Sequence, residues 1–137
     1  MTEHLLESFG GFDDFLIYFA VCIVLLCLFN AIYVRITPYR EIALIRAGNT
    51  AAALSLSGAM LGFVLPLASA VVHGVSLVDT VLWGVLALLV QLLAYAAVRP
   101  MIPSIAQDIP DGKLAQGLFL GALSLGVGIL NAACMSS

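Results

Sequence analysis

The sequence predicts an all-α integral membrane protein of four transmembrane helices, arranged as two parallel-repeated helical hairpins with N-out and C-out termini. Three observations predict it. Of 137 residues, 63% are hydrophobic and 9% charged, where an ordinary soluble domain carries about 25% charged residues. Four apolar segments, about 15–34, 50–72, 79–98 and 114–135, each match the ~20 residues with which a helix crosses a ~30 Å hydrocarbon core. Sliding the sequence along itself also lays Gly48 on Gly112, Ala51 on Ala115, Leu54 on Leu118, Leu56 on Leu120, Leu61 on Leu125, Gly62 on Gly126 and Ala68 on Ala132. The same offset pairs Arg35 with Arg99 and Ile45 with Ile109. Repeat one is therefore read as 13–73 and repeat two as 77–137 of a single membrane domain.

Composition also excludes. Once the apolar segments are subtracted, only short tails and loops remain, which leaves no room for a soluble catalytic domain. The net charge of -3 comes without any basic run, so nucleic-acid binding is set aside. Cys22, Cys27 and Cys134 are odd in number and lack CxxC or CxxH spacing. They read as small packed residues rather than a disulfide framework or a zinc site. The opening MTEHLLESFGGFDD carries no Lys or Arg, the reverse of a secretory n-region, so the first apolar segment is expected to stay as an anchor.

Phe15 to Val34 runs without a single charge, bounded by Asp13 and Asp14 on one side and Arg35 on the other. Tyr18 and Tyr33 stand near the two boundaries, where amphipathic rings prefer to lie. Asn30 is its one strongly polar interior residue. In the loop that follows, Thr37 can cap a short interfacial helix with Pro38 at its first position. Ile42 and Ile45 would share a face. Gly48 ends that helix, and Asn49 is placed to cap the next span by accepting from backbone N–H groups that lack partners.

The second span sets Ala51, Ser55, Gly58 and Gly62 at spacings of 4, 3 and 4. Such a stripe of small side chains lets another helix approach closely, and in lipid association depends on that packing. Pro66 should kink the helix. After the turn from His73 to Ser76, Asp79 opens the third span. Its buried polar residue Gln91 is expected to bond a neighbouring helix. The segment PMIPSIAQDIPDGK reads as the second interfacial loop, with Ile105 and Ile109 facing lipid. The fourth span carries a second stripe, Gly117, Gly121, Ser124 and Gly128. The two stripes do not superpose in the repeat register, which predicts that the halves use them for different neighbours.

All five basic residues, Arg35, Arg40, Arg46, Arg99 and Lys113, fall in the first and third loops. By the positive-inside rule those loops are cytoplasmic, so the termini and the His73 turn face outward. Each repeat holds two spans, so both halves enter the membrane in the same direction.

The stretch RITPYREIALIRAGNTAAALSLSGAMLGFVLPLASA, with the ending GILNAACMSS, resembles the bacterial family called domain of unknown function 350, in particular its small inner-membrane members. The ITP turn at Ile36 to Pro38, NTAA at Asn49 to Ala52 and NAACM at Asn131 to Met135 are the most specific parts. The resemblance covers nearly the whole chain. It implies a four-span inner-membrane protein, multi-pass with periplasmic termini, built from two copies of a two-span unit. It implies no settled activity. Family members often stand beside genes for phage-shock-type membrane-binding proteins and ATP-grasp ligases, which suggests envelope maintenance. Lys113 stands where the family unit usually carries Asn, so the two helix starts differ.

No nucleophile, acid–base pair or metal set is legible, so no enzyme, cofactor or metal is expected. His4 and His73 lie far apart. Asp13, Asp14, Arg40 and Glu41 read as solvated. No span holds an ionisable residue, which argues against a pump or secondary transporter. Two readings remain. One is a structural or regulatory protein that contacts membrane lipid, forms a homo-oligomer through Gly58, Gly62, Gly117, Gly121 and Gly128, and offers its basic loops to a cytoplasmic partner or anionic lipid. The alternative is a passive ion or small-solute channel, with Asn30, Asn49, Gln91, Gln116 or Asn131 as lining or helix glue.

Overall fold

The described residues fold into six helices: α1 (Thr2–Ile36), α2 (Glu41–Arg46), α3 (Thr50–His73), α4 (Leu77–Met101), α5 (Ile105–Asp108) and α6 (Leu114–Ser136). A computed structural model describes the backbone of residues 2–136 and the side chains of residues 11–135. The side chain of His4 lies outside that range. Four helices are long and apolar enough to cross a membrane, over Gly11–Ile36, Thr50–His73, Leu77–Met101 and Leu114–Met135.

The first helix begins well before Phe15 and takes in Asp13 and Asp14, which the sequence placed in a tail. Absence of charge marks the length that crosses hydrocarbon, whereas helical hydrogen bonding has no reason to stop at an acidic residue. Likewise α4 runs past Val98 through Arg99 and Pro100. Thr37 and Pro38 do not start α2, whose N-cap is Arg40. Thr37 instead bends back so that its hydroxyl donates to Glu41 Oε1 at 2.6 Å.

The two interfacial segments close with the same backbone geometry, in the register of the sequence repeat. Gly48 and Gly112 adopt φ of +87° and +76°, a left-handed conformation that glycine enters without a Cβ penalty. The Gly48 N–H reaches the Ile45 carbonyl at 3.0 Å, and the Gly112 N–H reaches Ile109 at 3.0 Å. Asn49 N–H to Leu44, at 2.9 Å, is matched by Lys113 N–H to Asp108 at 3.0 Å. Then α3 and α6 begin at Thr50 and Leu114, again in that register.

The most extensive helix contact in the molecule joins α3 to α6, not the members of either hairpin. Here the prediction of different neighbours is overturned: the two small-residue stripes face each other. A Cβ at Gly58 would overlap the Gly121 backbone, one at Gly117 the Ala51 backbone, and one at Gly128 the Gly62 backbone. The order of these contacts makes the two helices parallel. Both stripes share the 4, 3, 4 spacing, but Ala51 faces Gly117 and Gly62 faces Gly128, two positions out of the repeat register that pairs Ala51 with Ala115. Two facing helices need matching spacing and close backbones, not positions that are equivalent in a repeat. The glycine faces are therefore occupied within one chain and are not free to join copies.

Leu25, Phe29 and Tyr33 seat α1 on α3 and α4, with the Phe29 and Phe63 rings stacked at 4.8 Å. The rest of α1 is bare, only 11% of its span being buried. Tyr33, expected at the membrane boundary, is fully buried. Ile105 and Ile109, expected to face lipid, are buried too. Two branched side chains on one face of a loop held against α4 and α6 find protein instead of lipid.

Candidate functional site

Polar side chains inside the bundle fall into three groups. The first answers a defect that the sequence creates in its own backbone. Pro66 has no N–H, so the carbonyl of Gly62, one helical turn earlier, loses its helical partner. Gln91, fully buried on α4, supplies the missing donor: its Nε2 reaches the Gly62 carbonyl at 3.0 Å and the Ser124 carbonyl at 3.1 Å. One amide thus ties α3, α4 and α6 together. Gln91→Leu is expected to cost about 1–2 kcal/mol, within the measured scale of interhelical bonds. The cost should shrink in a Pro66→Ala background, where a backbone N–H returns to Gly62, and thermal unfolding of the two single variants, the double variant and the unaltered protein in detergent checks this coupling.

Asn49 forms the second group. Its Oδ1 accepts from the Ala52 N–H at 3.0 Å and caps α3, while Nδ2 donates to the carbonyls of Ile109 and Pro110 at 2.9 and 3.2 Å. The side chain therefore fastens the second interfacial loop to the start of α3. At the matching position Lys113 pairs with the buried Asp108 at 3.2 Å. The Ser104 hydroxyl, donating at 2.7 Å, and the Lys113 ammonium hold the Asp108 carboxyl below the usual carboxylate range. Asn49→Ala should cost about 1 kcal/mol and speed amide exchange around Ile109.

The third group, at the same end of the bundle, was missed by sequence reasoning. Glu41, read as a solvated loop residue, is fully buried. Around it stand Thr37, Tyr33, Tyr39 and Tyr95, all 6% exposed or less. The Tyr33 and Tyr95 rings meet edge to face at 5.6 Å. Glu41 Oε2 and the hydroxyls of Tyr33, Tyr39 and Tyr95 have no hydrogen-bond partner. Burial pushes the Glu41 carboxyl up to about 7, a rise that the Thr37 hydrogen bond partly opposes. Burial likewise raises the Tyr39 phenol, and the nearby Glu41 adds to it. The available signal was that three of the four tyrosines, Tyr33, Tyr39 and Tyr95, fall at this end of their segments.

The remaining polar residues do not join a common site. Asn30 Oδ1 and Asn131 Nδ2 are buried without hydrogen bonds on different helices near opposite ends of the bundle, and Gln116 is half-buried near the start of α6. Arg35, Arg40, Arg46, Arg99 and Lys113 are all exposed. Among the described residues, no group of three or more His, Cys, Asp or Glu side chains is placed to hold a metal ion.

The Escherichia coli K12 protein called UPF0719 inner membrane protein YjfL is 42% identical over 133 residues, spanning 97% of this chain and 98% of that one. Its namesake in Escherichia coli O157:H7 matches to the same extent. The Bacillus subtilis 168 protein called UPF0719 transmembrane protein YshE is 27% identical over 118 residues, 85% of this chain and 88% of its own. No solved structure matches significantly. The family model described as Domain of Unknown Function (DUF350) matches residues 4–135, and with four apolar helices of spanning length this chain belongs to the DUF350 family.

Proposed function

We propose that the protein is a non-catalytic structural or regulatory component of the bacterial inner membrane, linked to envelope maintenance, which engages anionic phospholipid headgroups through one basic face. The distribution of charge carries this reading. Arg35, Arg40, Arg46, Arg99 and Lys113 are exposed at the end that holds α2 and α5, where Glu41 and Asp108 are buried. At the other end the charged side chains described are Asp13, Asp14 and Asp79. The basic end faces the cytoplasm and both termini face outward. A cytoplasmic protein partner would use the same face. The recurrence of the Gly48 turn geometry at Gly112 supports two parallel repeats.

Copies associate, in this reading, through α1 rather than through the glycine faces. Its exposed Phe12, Phe15 and Phe19 form a ladder with ring centroids 6.5 and 5.7 Å apart. The alternative, a passive channel, loses support because the amides of Gln91 and Asn49 are engaged across helices instead of facing a shared path.

Replacing Arg40 and Arg46 together by Gln should remove about 2 kcal/mol of headgroup attraction, roughly a thirtyfold loss in affinity for phosphatidylglycerol. Native mass spectrometry of retained lipids checks it. Unchanged retention, or ion flux through liposomes containing the protein that Gln91→Leu alters, would overturn the reading.

A further inference from the structure

The cluster around Glu41 has a chemistry that the proposed scaffold does not use. A buried carboxylate offers one oxygen to Thr37 and leaves the other without a partner, and three phenol hydroxyls close by are equally without partners. A buried polar atom left unpaired costs about 1–3 kcal/mol, so four in one place call for something that satisfies them. The Arg99 guanidinium lies beside the Tyr95 hydroxyl, but no cation pairs with the Glu41 carboxylate: among the described residues the ion pair within bonding distance is Lys113 with Asp108. The charged and titratable groups that surround Glu41 are Arg40 and Arg46 on its own segment, Tyr39 before it, Tyr33 on α1, and Tyr95 with Arg99 on α4. Ser55 on α3 adds a further hydroxyl beside Tyr39.

The donor set decides the class of ligand. It is all oxygen, with hydroxyls and a single carboxylate, and it lacks the nitrogen and sulfur that hold zinc or copper. One negative charge is neutralised by one positive charge, and a divalent ion would leave an excess charge buried among neutral hydroxyls. A concavity of about 500 Å³ lined by Val34, Arg40, Glu41, Ile42, Ala43 and Arg46 lies on the outer side of α2.

We propose that this cluster binds a single small monovalent cation, a proton or an alkali-metal ion, at the Glu41 carboxylate, and that the bound cation holds α2 against the ends of α1, α3 and α4. When the occupant is a proton, an O–H bond forms at Oε2 and removes the buried charge, while Oε1 keeps the Thr37 bond. When it is sodium or potassium, the carboxylate and the hydroxyl oxygens replace water around the ion. The raised affinity of Glu41 for a proton agrees with either occupant, since burial disfavours the bare carboxylate.

The test is infrared difference spectroscopy of the protein in liposomes, titrated across about three to four pH units on the acid side of neutrality and about two on the alkaline side, in sodium, potassium or N-methylglucamine chloride. The expected result is a carboxylic-acid band that vanishes with a midpoint near 7 and is missing in Glu41→Gln. A midpoint independent of the salt identifies the proton as the occupant. A midpoint that falls by up to about one unit for each tenfold rise in sodium or potassium identifies the metal, because the two compete for one carboxylate. Tyr95→Phe, which keeps the ring and removes a hydroxyl, should shift the midpoint and serves if Glu41→Gln does not fold. An ordinary glutamate midpoint near ~4.3, or a band that persists in Glu41→Gln, would overturn the proposal.

Discussion

Replacing Gly121 with leucine is expected to destabilise the fold by about 3 kcal/mol, at the upper end of what overpacking costs. A side chain there would run into the carbonyl of Leu54 and the backbone of α3, and Gly58 on the facing helix already lies against Gly121. Backbone cannot rotate aside as a flexible side chain can, so α3 and α6 must separate along their shared length. In lipid, separated helices find apolar contacts about as good as the lost ones only where their surfaces are apolar. The Gln91 bonds to Gly62 and Ser124 span this same seam and would be lost with it. Gly126→Leu is the control: nothing stands within 4 Å of a Cβ at that position, and its effect should stay within about 0.5 kcal/mol. Titration with sodium dodecyl sulfate, followed by Trp83 fluorescence, measures both. Equal losses for Gly121→Leu and Gly126→Leu would remove the close-approach argument.

Raising the pH from about 4.5 to above 7 should loosen α2. The sign follows from where Glu41 keeps its proton. Exposed, it titrates near 4.5, and packed against the tyrosines it titrates near 7. Below 4.5 the acid is neutral in both states and seating α2 costs nothing extra. As pH rises the exposed form ionises first, so the seated form loses ground until it too ionises near 7, and above that the loss is constant. A difference of 7 − 4.5 in pKa corresponds to about 3 kcal/mol, or roughly three hundredfold in the opening equilibrium. Hydrogen exchange of the amides in Glu41–Arg46, corrected for the intrinsic pH dependence, reads it directly. Glu41→Gln should abolish the pH dependence, because the amide keeps an acceptor for Thr37 and carries no charge. A pH-dependent opening that survives in that variant would exclude Glu41 as its origin.

The two expectations differ in how far the sequence leads to them. The spans were legible because crossing hydrocarbon is a local demand: about 20 apolar residues satisfy it whatever surrounds them. Gly48 as the end of a helix and the cap at Asn49 were legible for the same reason, since a left-handed φ or an unpaired N–H is answered by the residue on the spot. The clustering of Arg35, Arg40, Arg46, Arg99 and Lys113 on one side needs only the order of the spans. The 4, 3, 4 stripes announced close helix packing, but which stripe meets which depends on how surfaces as distant in the chain as Ala51 and Gly117 come together. Pro66 was visible as a break in the hydrogen-bond ladder, yet its answer lies on α4 at Gln91, and only the packing of three helices brings that amide to the orphaned carbonyl. Glu41 is the clearest case. Flanked by Arg40 in a short polar segment it looks solvated, and its burial is decided by Tyr33 on α1 and by Tyr95 near the end of α4. Hydropathy and capping act along the chain and can be summed from it. Burial of a polar group is a property of what the rest of the chain lays over it.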